Sequence, residues 1–137
     1  MSFVNRPAMK ELNSHFLIEM VPDPTQRFSD TQKLAQQEVL TKIKTAGKDL
    51  FQPNPAVEIA GATKCRQLFN CTVNTRELGA AMNTYNLVMR VSLKGGDKTM
   101  TAMATAADLL NNNVITSPSG SFSLVTNGNY LRGVDIA

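Results

Sequence analysis

Apolar and polar positions alternate along some stretches of this chain and recur at helical spacing along others. A short apolar run, His15–Val21, stops at the Pro22–Asp23–Pro24 turn, which predicts a strand. Ser29 and Gln32 then have the spacing of a helix capping box. Apolar residues follow at helical spacing, namely Val39, Ile43, Ala46 and Leu50. We therefore expect a helix over about 30–50, which Pro53 prevents from continuing.

The pattern in the middle of the chain predicts strands. Ala56–Ala60 is a short strand candidate, and Lys64–Asn74 and Thr84–Leu93 both alternate between two faces. The link 75–82 contains Gly79 and reads as a loop. These features predict an antiparallel hairpin made of the two longer strands.

Beyond Gly95–Gly96 the pattern becomes helical again. Asp97 is a suitable cap for a helix that ends near Asn111–Asn113. Four residues form one stripe of that helix, and we expect them at an oligomer interface: Met100, Met103, Ala107 and Leu110. In the tail, residues 122–125 and 130–136 predict short strands around an Asn127–Gly128 turn, or an extended arm that docks on a neighbouring subunit.

This order of elements predicts an α+β fold, with an antiparallel sheet and helices on one face. The chain has 137 residues, of which 42% are hydrophobic, so a single domain over 1–137 is expected. Within this domain, 1–14 is expected to be an N-terminal arm or an irregular lead-in, and 114–137 to be a C-terminal arm or short strands.

Charge and cysteine content restrict the chemistry. The formal net charge of +3 allows an anionic partner without requiring one. Cys65, Cys71 and the single histidine, His15, are too few for an ordinary zinc site, so neither a metal nor another cofactor is expected. Met1–Lys10 lacks the apolar segment of a signal peptide, and no long apolar run predicts a membrane span. We expect a protein of the virion or the cytoplasm that is not secreted through a signal peptide.

No catalytic motif stands out in the sequence. His15 opens an apolar run without a partnering Asp or Ser, and the carboxylates are scattered. Gly95–Lys98 lacks the spacing of a phosphate-binding loop. We therefore expect no catalytic residues and a non-enzymatic role.

The polar side of the predicted hairpin carries the most informative chemistry. Arginine forks and short amide and hydroxyl groups suit contact with phosphate, sugar and base edges, and this side has no carboxylate. It also has no aromatic residue for base stacking, because Tyr85 falls on the other side. The predicted nucleic-acid-binding residues are Lys64, Arg66, Asn70, Thr72, Asn86, Arg90 and Ser92.

The segment Asn54–Leu93 resembles the central hairpin of the coat proteins of single-stranded RNA bacteriophages. The similarity lies in a strand bearing Cys71–Thr72–Val73, a polar loop, and a strand of the type Tyr-x-Leu-x-Met-x-Val that starts at Tyr85. The resemblance implies a non-enzymatic protein that self-assembles into a homo-oligomer and binds an RNA hairpin on its sheet.

Two other functions are compatible with the same residues. One is an oligomeric component of a phage tail or neck that does not bind nucleic acid. The other is a small α+β enzyme whose site is assembled from scattered residues, with His15 as the residue to test.

Overall fold

The computed structural model describes residues 9–12, 15–45, 50–54, 65–96 and 98–136. The strands are β1 (Met9–Glu11), β2 (Phe16–Pro22), β3 (Phe51–Asn54), β4 (Cys65–Val73), β5 (Leu87–Leu93), β6 (Thr101–Ala104), β7 (Val114–Thr116), β8 (Ser123–Asn127) and β9 (Tyr130–Ile136). The helices are α1 (Asp30–Thr45), α2 (Thr75–Tyr85) and α3 (Ala106–Leu110), with one 3-10 turn at Lys98–Met100.

The strands form two antiparallel sheets, and the α+β class is confirmed. The four-stranded sheet has the order β1-β2-β5-β6, and the five-stranded sheet has the order β3-β4-β9-β8-β7. Their inner faces share one core, in which the Phe16 ring lies 5.0 Å from that of Phe69 and 5.3 Å from that of Phe122. Each sheet therefore has an outer face pointing away from this core.

The predicted hairpin is wrong, because β4 and β5 belong to different sheets. β4 pairs with β3 and β9, whereas β5 pairs with β2 and β6. The link between them is helix α2. Asn74 caps its start by accepting a hydrogen bond from the Glu77 amide at 3.2 Å, and Leu78 and Met82 bury its inner side. At its other end, Asn86 adopts the left-handed conformation that stops the helix.

The predicted second long helix is also wrong. Thr101–Ala104 form strand β6 beside β5, with Ala102 and Ala104 buried and Met103 on the opposite side. The helical part is confined to α3, which begins after Thr105. Alternation of small residues in β6 resembles a helical stripe of small residues, so local spacing did not distinguish the two.

Three other predicted elements are confirmed. β2 buries alternate residues, and α1 begins at the predicted capping box, where Ser29 and Gln32 exchange hydrogen bonds of 2.9 and 3.2 Å. β8 and β9 flank the predicted turn, where Gly128 has φ +60°. The candidate strand at 56–60 and the predicted helical residues 46–49 lie outside the described residues.

Strand β9 occupies the middle of the five-stranded sheet instead of forming an arm. It pairs with β4 on one side and with β8 on the other. Gly133 of β9 faces Phe69 so closely that a Cβ at this position would overlap the aromatic ring. The absence of a side chain at Gly133 is thus what allows Phe69 to reach the shared core.

Candidate nucleic-acid interface

The structure separates the predicted nucleic-acid-binding residues. Asn70 and Thr72 lie on the outer face of the five-stranded sheet, whereas Arg90 and Ser92 lie on the outer face of the four-stranded sheet. Asn86 ends helix α2. The prediction that these residues share one face is therefore wrong, because the two strands that carry them were paired incorrectly.

The two remaining predicted residues precede Asn70. Lys64 lies outside the described residues, as does the side chain of Arg66. The Arg66 backbone pairs with Asp135 of β9, beyond a register shift between Gln67 and Phe69. A β-bulge of this kind interrupts the regular alternation that the sequence prediction assumed.

The β5 half of the predicted face is not free of carboxylates. β2 lies beside β5 with Glu19 opposite Arg90, and Arg90 Nη2 donates a hydrogen bond of 3.0 Å to Glu19 Oε1. Opposite charges directly across an antiparallel pair attract one another. Arg90 is therefore neutralised within the chain and is not a cation reserved for phosphate.

The β4 half of the predicted face lies beside β3 and β9 instead of β5. Residues directly opposite in an antiparallel ladder share a face, so the register defines two polar rows across β3, β4, β9 and β8. No carboxylate occurs among the described residues of these rows. They are Gln52, Thr72, Tyr130 and Asn127 in the first row, and Asn54, Asn70, Arg132 and Val125 in the second row. We call this surface the polar platform.

Tyr130 and Arg132 supply what the predicted face lacked. The Tyr130 side chain is 44% exposed, and the Arg132 guanidinium carbon lies 5.9 Å from the centre of its ring. This distance is within the range of a cation–π contact. The platform thus combines an exposed aromatic ring with a permanent positive charge.

Hydrogen bonding on the platform is incomplete. Asn54 Nδ2 donates to Thr72 Oγ1 at 2.9 Å, which holds β3 and β4 side chains together. By contrast, Asn70 Oδ1 and Arg132 Nε are buried atoms without a hydrogen-bonding partner. They belong to directly opposite residues, so an unused acceptor and an unused donor occur at one position of the sheet.

The four predicted interface residues do not form a stripe. Met100 lies in the 3-10 turn, Met103 lies on the outer side of β6, and Ala107 and Leu110 lie on α3. Two of them are nevertheless large apolar side chains in contact with solvent, since Met103 is 39% exposed and Leu110 is 60% exposed. Their arrangement differs from the prediction because β6 and α3 replace the expected single helix.

The outer face of the four-stranded sheet forms an open groove of about 830 Å³. Leu17 and Val21 of β2 and Met103 of β6 give this groove an apolar floor, and the Glu19–Arg90 ion pair crosses it. We call it the apolar groove. It differs from the polar platform in both shape and chemistry.

Two other reactive side chains are not among the residues that line either surface. His15 is exposed, and Cys71 is a cysteine buried in the core. Among the described residues, no group of three or more His, Cys, Asp or Glu side chains is arranged to hold a metal ion. None of the helices in the described ranges has the length and apolar character to cross a membrane.

No family model, curated protein or solved structure matches this chain.

Proposed function

We propose that this chain is a non-enzymatic, self-assembling structural protein of virion type that contacts RNA through the polar platform. The single observation that carries the RNA contact is the presence of Tyr130 and Arg132 beside Asn70 and Thr72 on one carboxylate-free surface. The sequence resemblance to bacteriophage coat proteins suggests the same function, although the central hairpin that it implies is not formed.

The chemistry of the platform suits unpaired bases. A base stacks on the exposed Tyr130 ring, and the Arg132 guanidinium contacts the adjoining phosphate. Asn70 and Asn54 provide short amide groups for base edges or sugar hydroxyls. RNA that draws the Asn70 and Arg132 side chains outward would also give their unused hydrogen-bonding atoms partners.

Self-assembly is supported by surfaces that a lone copy leaves open. The apolar groove exposes Met103, and α3 exposes Leu110. Strands β1 and β6 are edges of the four-stranded sheet, and β3 and β7 are edges of the five-stranded sheet. Uncovered apolar side chains and unpaired strand edges are the features through which copies of a chain associate.

Two measurements test this proposal. Negative-stain microscopy of the purified protein should show shells or other closed assemblies. Fluorescence anisotropy with a labelled RNA hairpin should show binding that weakens as salt rises. Rings or tubes without RNA affinity at low salt would favour the alternative of a phage tail or neck component, and a monomer free of nucleic acid would contradict both.

A further inference from the structure

Helix α1 has one face that the fold uses and one that it leaves uncovered. On the inner face, Leu40 is buried in the core and Gln36 Nε2 donates a hydrogen bond of 2.9 Å to the Tyr85 carbonyl of α2. On the outer face, Leu34, Glu38 and Lys42 are all exposed. Because they are spaced four residues apart, these three side chains lie along one stripe.

Leu34 makes this stripe unusual for a solvated helix face. Its side chain is 59% exposed, and it leads the stripe by one turn ahead of Glu38. A single exposed leucine needs no explanation by itself. Here it lies in line with two opposite charges. The apolar groove on the same molecule also combines apolar side chains with two opposite charges.

We infer that the apolar groove receives helix α1 of a second copy of this chain. This inference rests on the proposed self-assembly and names the two surfaces that meet. The groove and the α1 stripe are different surfaces of one molecule, so each copy both gives a helix and takes one.

Charge complementarity supports this pairing. In the groove, Glu19 and Arg90 stand opposite each other on adjacent strands, about 5 Å apart at their Cβ atoms. On the helix, Glu38 and Lys42 are one turn apart, about 5–6 Å at their Cβ atoms. Glu38 above Arg90 and Lys42 above Glu19 would form four alternating charges in place of two.

The dimensions of the two surfaces also agree. The stripe from Leu34 to Lys42 spans about 12 Å at a helical rise of 1.5 Å per residue. The matching row runs across the strands, because Met103, Arg90 and Glu19 lie directly opposite one another on β6, β5 and β2, and it spans about 10 Å at roughly 4.8 Å between neighbouring strands. Leu34, one turn from Glu38, then falls on the apolar part of the floor that includes Met103.

Contacts between unlike surfaces repeat from copy to copy. They close into a ring when the rotation between copies allows it, and they extend as a filament when it does not. The RNA-contacting platform belongs to the other sheet, so this association leaves it exposed.

The test exchanges charges without breaking the ion pair inside the chain. The groove variant E19R/R90E keeps an Arg–Glu pair across β2 and β5 but reverses its direction. The helix variant E38K/K42E reverses the stripe of α1. Each variant alone then places like charges together at every junction, which disfavours association.

Sedimentation velocity at low salt should show that each variant loses about tenfold or more in association constant relative to the unchanged chain. An equimolar mixture of the two variants should recover it, because a reversed groove then meets a reversed helix and an unchanged groove meets an unchanged helix. The quadruple variant should recover it as well. Circular dichroism checks that each variant is folded, and L34E on the exposed stripe provides an independent disruption if a charge variant is not.

The inference is overturned if the unchanged chain assembles and neither the charge variants nor L34E weakens that assembly. Failure of both the quadruple variant and the mixture to recover association would also overturn it, since both restore opposite charges at the junctions. These results would leave self-assembly and RNA contact standing. An unchanged chain that is monomeric at every concentration would instead contradict the proposed function itself.

Discussion

The outer faces of the two sheets are built on one core but differ in chemistry. On the four-stranded sheet, the charged residues Glu19 and Arg90 neutralise each other beside the apolar side chains of Leu17, Val21 and Met103. On the five-stranded sheet, Arg132 contacts an aromatic ring and keeps one buried nitrogen without a partner. An arginine on an exposed sheet therefore reveals little until its cross-strand neighbour is known.

This difference separates two kinds of partner. A surface with its charges already paired and apolar side chains around them suits another protein surface. A surface with amide and hydroxyl groups, one aromatic ring and a cation suits a polyanion with stackable bases. The predictions below test whether the two faces are separate in function although they share a core.

The largest expected effect comes from the residue that lets the sheets pack together. G133A introduces a Cβ that would overlap the Phe69 ring. Overpacking of this kind should lower the free energy of unfolding by roughly 1–3 kcal/mol, and it should weaken both faces together. Urea denaturation followed by circular dichroism measures this loss.

G128A is the matched control for G133A. No atom lies within 4 Å of a Cβ at Gly128, but its φ of +60° makes a side chain unfavourable by about 1–2 kcal/mol. The smaller side chain of F69L should reduce the loss of stability caused by G133A and leave that caused by G128A unchanged. If F69L changes neither loss, the close approach of Gly133 to Phe69 does not limit packing.

The second prediction separates the faces by RNA affinity. Y130A and R132A should each weaken RNA binding by roughly tenfold, which corresponds to stacking or charge contacts of about 1–3 kcal/mol. R132A should also reduce the slope of the logarithm of the binding constant against the logarithm of the salt concentration by about 1, as expected for the loss of one phosphate contact. Anisotropy titrations at several salt concentrations measure both quantities.

R90A serves as the control on the opposite face. Because Arg90 is paired with Glu19 and lies away from the platform, its loss should leave RNA affinity unchanged. An equal loss of affinity for R90A and R132A would show that net charge, and not the polar platform, governs binding.

The third prediction concerns α3, which contacts both β6 and β8 and so joins the two sheets. Burial raises the pKa of Asp108, but hydrogen bonds from the Thr105 amide, the Asn113 side chain and the Thr105 hydroxyl outweigh it and hold the pKa below its ordinary value. D108A removes this capping box and should cost about 1 kcal/mol at neutral pH.

The sign of the pH effect follows from that lowered pKa. A carboxyl group whose pKa is lower in the folded state stabilises the fold above its unfolded pKa of about 4, and this contribution is lost as the pH falls through the folded value. The difference in stability between the unchanged chain and D108A should therefore shrink below pH 4. A difference that stayed constant down to pH 2 would show that the ionised carboxylate is not what stabilises the α3 cap.

The smallest effect is expected at the ion pair itself. E19Q should lower stability by about 0.5 kcal/mol or less, since Arg90 is 40% exposed and solvent screens the pair. Thermal denaturation at low and high salt should show the loss only at low salt. A loss that persisted in high salt would indicate that the short hydrogen bond from Arg90, and not the screened attraction of the two charges, is what matters.

Local signals in the sequence predicted the elements whose stability is local. The capping box at Ser29 and the turn at Gly128 each depend on residues within a few positions, and both are confirmed. The same logic overlooked α2, although Asn74 and Glu77 have capping spacing, because Gly79 made the link resemble a loop. Because residues 75–82 were predicted to be a loop and not a helix, β4 and β5 were predicted to pair as a hairpin.

The platform could be predicted only in part. Asn70 and Thr72 were assigned to one side of β4, and they do lie there. Tyr130 and Arg132 are about sixty positions away in the chain and reach β4 only through strand pairing. Nothing in local spacing reveals which strand a distant segment will pair with, so their contribution became visible only in the folded chain.

The central position of β9 has a consequence for how this protein is made. All four strands of the β1-β2-β5-β6 sheet have been synthesised by Ala104, whereas β4 must wait for β9, which follows every other described strand along the chain. A nascent polypeptide on the ribosome can therefore complete one layer while the hydrogen-bonding edge of β4 is still open. Chaperone capture or premature association between nascent chains is to be expected in that interval, and slowing translation after Ala104 should prolong it.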